Sequence, residues 1–136
     1  MRSILFSVLL SIGLTGAVYA QDDRGAAIQG VISGQIEAFL ADDFATAFTF
    51  AAPNIQRLFG NPDRFGSMVR NGYPMVWRPA DVQFLDREDQ GPFQLQKVLV
   101  TDSEGVPHVL EYQMVFNDKG WQINGVRILQ APPVGA

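Results

Sequence analysis

The sequence contains no cysteine. That excludes disulfides, thiolate metal sites, a cysteine nucleophile and a lipid-modified cysteine. Histidine occurs once, as His108, so a zinc site lacks its usual donors. Basic residues are few: 10 Lys and Arg stand against 14 Asp and Glu, a net charge of −4. No basic block interrupts that balance, which argues against nucleic acid and against anionic membrane surfaces as partners. No Gly-rich phosphate loop, nucleophile elbow or H-E-x-x-H pattern is present, and Gly25, Gly30 and Gly34 lack the spacing of a dinucleotide fingerprint. No cofactor is implied.

What is present is apolar. Hydrophobic residues make up 47% of the chain and charged residues 18%, enough for one real core in one domain. Part of that content lies in Met1–Ala20, which reads as a secretory signal peptide. Arg2 supplies the positive start, and Ile4–Leu14 is an apolar run too short to span a bilayer. Val18-Tyr19-Ala20 places small or β-branched residues before a cleavage between Ala20 and Gln21. Cleavage would leave nine basic residues and a charge of −5. The expectation is an exported protein, periplasmic in a Gram-negative source, with no membrane anchor after cleavage. About 115 residues can hold together by packing alone.

The mature chain is expected to form one domain over 21–130, with 131–136 a loose tail. Ala26–Leu40 has helical periodicity, with Ile28, Val31, Ile32, Gln35, Ile36, Phe39 and Leu40 on one stripe. Asp42 or Asp43 can cap a second helix with Phe44, Ala47, Phe48 and Ala51 inward. Pro53 suits the first turn of a third, with Ile55, Leu58 and Phe59 as its apolar side and Gly60 as its stop. Asn61-Pro62 repeats the start signal for a fourth that presents Phe65, Met68 and Val69 and ends at Asn71-Gly72.

After Gly72 the apolar period changes from that of a helix to that of a strand. Tyr73–Pro79 holds two prolines and reads as an extended connection. Val82–Asp86 reads as a short strand, Arg87–Pro92 as a turn, and Phe93–Thr101 and His108–Phe116 as strands. Asn117–Gly120 is a hairpin turn before a last strand, Trp121–Leu129, with a bulge at Asn124-Gly125. Helices followed by hairpin-linked strands predict an α+β domain, its helices packed on a curved antiparallel sheet.

These residues carry a resemblance. Ala38-Phe39 through Asp43, Ala47-Phe48 through Pro53-Asn54-Ile55, Phe59-Gly60, Phe65, Met68-Val69, Tyr73-Pro74 and Arg78-Pro79 belong to it. So do Tyr112-x-Met114 and the closing Trp121-x-Ile123-x-Gly125-Val126. Together they resemble a bacterial exported domain-of-unknown-function family, numbered 4864, within the cone-shaped nuclear-transport-factor-two-like (cystatin-like) superfamily. The resemblance implies a cone of helices and curved sheet. It implies no particular activity, because that superfamily hosts enzymes, carriers and assembly modules.

Candidate site residues follow from the strand pattern. Alternation puts His108, Leu110, Tyr112, Met114 and Phe116 on one face of their strand. His108 could serve there as a base; the simpler reading is a solvated residue at the strand end. Tyr73, Trp77, Tyr112 and Trp121 could line an aromatic pocket or pack as ordinary core. Arg127 either points inward, which would require a partner or an anionic ligand, or outward as an edge charge. The acids Asp81 and Asp86 fall at strand ends, and Glu111 should face away from Tyr112. Asp22-Asp23, Asp42-Asp43 and Asp86–Asp89 lack calcium-loop spacing, so no metal is expected. The possible pocket lining is therefore Tyr73, Trp77, His108, Tyr112, Met114 and Arg127. The favoured function is non-catalytic binding of a small apolar molecule or of a protein. The alternatives are an isomerase- or dehydratase-like enzyme and a homodimer formed through the sheet.

Overall fold

The computed structural model describes residues 16–129, with side chains from Asp23 onward. The residues before Gly16 and the tail after Leu129 lie outside it. So do most of the leader and the 131–136 tail expected from the sequence, and the side chains at the Ala20–Gln21 junction. Among the described residues no helix is long and apolar enough to cross a membrane.

Five helices precede four strands: α1 Gly16–Leu40, α2 Phe44–Thr49, α3 Pro53–Phe59, α4 Pro62–Gly72, α5 Pro74–Trp77, then β1 Asp81–Gln90, β2 Phe93–Thr101, β3 Pro107–Asn117 and β4 Gly120–Leu129. The strands form one antiparallel meander in sequence order. The domain is α+β, as the change of period predicts. Its core joins Ile28, Ile32 and Phe39 of α1 and Phe65 and Val69 of α4 to Val98, Leu110, Tyr112 and Met114 of the sheet. Stripe residues Ile28, Ile32, Gln35, Ile36 and Phe39 are buried; Leu40 is not. Phe65 sits at the centre of the helical layer, its ring 5.9 Å from Phe39, 5.3 Å from Phe48 and 5.8 Å from Phe59.

Local chemistry sets the helix ends. Asp43 caps α2 by accepting from the Thr46 N–H, and Asn61 caps α4 by accepting from the Arg64 N–H. Asp42 takes the left-handed position (φ 53°) that ends α1. The Asp43 N–H returns to the Ala38 carbonyl and the Asp42 N–H to the Phe39 carbonyl, the bond pattern of a Schellman motif. A non-glycine residue is strained there. Its carboxylate offsets this by accepting two 2.9 Å bonds from Arg78 and one of 3.0 Å from the Trp77 indole. Arg78 also donates to the Phe39 carbonyl at 2.7 Å and stacks on Trp77. This clamp ties the end of α1 to the segment entering the sheet.

Three expectations need correction. Tyr73–Pro79 is not extended throughout: Pro74 opens α5, where its missing N–H costs nothing. β1 runs on to Gln90, through the stretch expected to be a turn, and the hairpin closes at Gly91-Pro92. A bulge between Phe84 and Arg87 breaks its ladder. The buried Gln96 amide repairs the break by donating to the Leu85 carbonyl at 2.9 Å. Phe116 continues the alternation of β3 but is 65% exposed, its ring packed edge-on against Trp121 near the end of the strand. The bulge in β4 is where the sequence puts it: Gln113 faces Gly125 and Met114 faces Ile123, leaving Asn124 extra.

Gln96→Leu keeps the volume and strands the Leu85 carbonyl, so it is expected to cost about 1 kcal/mol in urea unfolding. An unchanged midpoint would show that the bulge needs no such partner.

Acid sensitivity is also expected. The Asp42 carboxyl is held below its ordinary value of 3.8 by the Trp77 indole and Arg78, Asp43 by Thr46, and Asp102 by His108 and the Val106 amide. A carboxyl with a lowered folded-state pKa binds its proton less readily folded than unfolded. Its contribution is therefore whole above the ordinary value and is lost as pH falls through the folded one. Melting temperatures measured from pH 7 to pH 2 should fall below about pH 4. Asp102→Asn should flatten part of that slope; an unaltered slope would remove Asp102 from the account.

Candidate functional site

The helices do not fill the sheet's concave side. Between them lies a cavity of about 250 Å³, just below the ~300–1,000 Å³ usual for small-molecule sites. Gln35 and Phe39 of α1 form one wall, and Phe65, Met68 and Val69 of α4 another. Tyr112, Ile123 and Val126 form the floor. α3 contributes Ile55, Leu58 and Phe59, yet none of its residues is buried, and Leu58, expected on its apolar side, is 72% exposed. α3 is anchored by Gln56, whose amide donates to the Phe48 and Ala51 carbonyls at 3.2 and 2.9 Å. The link from α2 to α3 also docks on the edge of β4, where the Ala52 N–H meets the Ile123 carbonyl at 2.8 Å.

Three polar side chains face this apolar lining. The buried Gln35 amide donates to the Ala47 carbonyl at 3.2 Å. Tyr73 donates its hydroxyl to the Val126 carbonyl at 3.1 Å. Tyr112 is fully buried, and its hydroxyl finds no hydrogen-bond partner among the described residues. Burial, and then the neighbouring Tyr73, push its pKa well above the ordinary 10.0, so it is a neutral phenol. No carboxylate, imidazole, amine or guanidinium is among the lining residues.

Of the six residues singled out from the sequence, the cavity brings together Tyr73 and Tyr112. Met114 is buried in the core and is not among the lining residues. Trp77 is taken by Asp42 and Arg78. His108 is drawn to the β2–β3 turn, its Nε2 2.9 Å from an Asp102 oxygen. The other Asp102 oxygen accepts from the Glu104 and Val106 amides. Arg127 points outward and meets Glu111 at 2.6 Å across the sheet's outer face, in a row with Lys97. Asp81 and Asp86 are exposed on β1. Among the described residues no three His, Asp or Glu side chains gather as metal ligands.

The sequence reading missed Gln35, Phe59, Phe65 and Val126 as lining. The first three look like ordinary helix-face residues, and only the distance between helices reveals the space beside them. Val126 could have been found through the bulge, which shifts the phase of β4 and turns Val126 toward Tyr112.

None of the curated proteins compared with the chain matches it. Among solved structures, the chain is similar to an NTF-2 like protein of unknown function from Burkholderia xenovorans LB400. That likeness has 16% identity and a TM-score of 0.47, and covers 80% of this chain and 90% of that one. Residues 21–136 match the family described as Domain of unknown function (DUF4864), so the chain belongs to that family.

Proposed function

We propose that this domain binds a small, predominantly apolar molecule in the cavity beneath α3 and α4 and does no chemistry on it. The observation that carries the reading is an apolar cavity lined in part by Tyr112, a buried residue whose hydroxyl has no partner among the described residues. Folded chains pair nearly all such groups, and exceptions concentrate where a ligand or function needs them. Catalysis of the isomerase or dehydratase kind has less support, because its acid and base would have to come from two phenols. The leader-like first twenty residues support action outside the cytoplasm, in the periplasm of a Gram-negative cell.

A thermal-shift titration with indane, a neutral bicyclic hydrocarbon, tests the reading. Binding to the folded state alone raises the melting temperature with ligand concentration. No rise up to the solubility limit would remove the proposal.

A second reading is a homodimer formed through the sheet. The outer face carries Leu95, Leu99, Val109 and Val115, all partly exposed, around the Lys97–Glu111–Arg127 row. Sedimentation at micromolar concentration showing a dimer that Leu99→Lys abolishes would support it; a monomer throughout would end it.

A further inference from the structure

We infer that the molecule taken by the cavity is uncharged and presents one hydrogen-bond acceptor to the Tyr112 hydroxyl. This rests on the binding reading above and narrows it. The lining offers no ion of either sign. A charged ligand would give up its hydration there and gain no counter-ion, a cost that only pairing offsets. An entirely apolar ligand would leave the Tyr112 donor unmet.

The other two polar side chains each already give a proton to the backbone. Tyr73 gives its proton to Val126, and the Gln35 amide donates to Ala47. Tyr112 holds the one buried side-chain polar atom lacking a partner among the described residues. Its phenol is neutral, so it brings an O–H donor and not an oxyanion. A ketone, ether or ester oxygen suits such a donor, with the rest of the ligand lying against Phe39, Phe65 and Val126.

Tyr112 is itself enclosed, so an acceptor reaches it only when a wall yields. α3 is the least buried of the walls, though Gln56 ties it to the Phe48 and Ala51 carbonyls. It has no buried residue, and it ends at Gly60 with φ 85°.

Three probes with one skeleton separate the terms: indane, 1-indanone and indane-1-carboxylate, each titrated calorimetrically into the protein and into Tyr112→Phe. The expected result is that 1-indanone binds about tenfold tighter than indane and that the carboxylate does not bind. Tyr112→Phe should erase the tenfold preference, bringing 1-indanone to the affinity of indane in the same variant. Equal binding of indane and 1-indanone, a preference that survives in Tyr112→Phe, or tight binding of the carboxylate would overturn the inference while leaving the apolar site standing. Failure of all three probes would overturn the binding reading and this inference with it. Tyr112→Phe removes only a hydroxyl that has no partner among the described residues, and far-ultraviolet circular dichroism of the variant checks folding before titration.

Discussion

Phe65→Ala should destabilise the domain by about 3–5 kcal/mol, the range for truncating a buried aromatic residue. Phe65 is 5% exposed and touches three other rings, from α1, α2 and α3. Removing it deletes a ring that meets one ring from each of the other three longer helices, and it enlarges a cavity that is already there. A domain typically has only about 5–15 kcal/mol in all. Phe65→Ala should therefore be partly unfolded at 37 °C, with a urea midpoint far below that of the parent. Phe116→Ala is the control: its ring is 65% exposed, and its loss should cost less than about 1 kcal/mol. Similar losses for the two would mean that the aromatic cluster is not what holds the helices together.

Tyr112→Phe should shift stability in the opposite direction. A buried hydroxyl without a partner forfeits its bonds to water and gains nothing in return, a cost of about 1–3 kcal/mol. Phenylalanine has the same shape without that cost. The variant is expected to unfold at higher urea concentration by that amount with an unchanged m-value. A gain in stability together with a loss of binding is the signature of a residue kept for function. A Tyr112→Phe protein less stable than its parent would mean that the hydroxyl is satisfied, and the binding account would lose its main support.

The helical half was legible because its punctuation is local. Asp43, Pro53, Asn61-Pro62 and Gly60 each act within one turn of chain, and the structure uses each as a start or stop. Pro74 defeated the same reasoning. Beside Pro79 it suggested an extended segment, yet a proline is equally suited to opening a helix, as it does in α5. The second half of β1 was hidden for a different reason. It is an edge exposed on nearly every residue, so no apolar alternation marks it. Its ladder is held from the side by Gln94 and Gln96 of the next strand, which bond Arg87 and Leu85. Phe116 shows the limit of alternation, which assigns a face but not whether anything covers it. The candidate site was legible only in Tyr73 and Tyr112. His108, the most reactive residue on chemical grounds, serves the Asp102 turn. A cavity arises from how far apart whole helices sit, and no single residue encodes that distance.

The claim that the space beneath α3 and α4 is a binding site is tested most directly by methyl-resolved NMR of the protein during titration with indane. The methyl resonances of Ile55, Val69, Ile123 and Val126 on the cavity wall should shift together with one dissociation constant. Those of Leu95, Leu99 and Val109 on the outer face should stay in place. Shifts confined to the outer face, or none at all, would contradict the account.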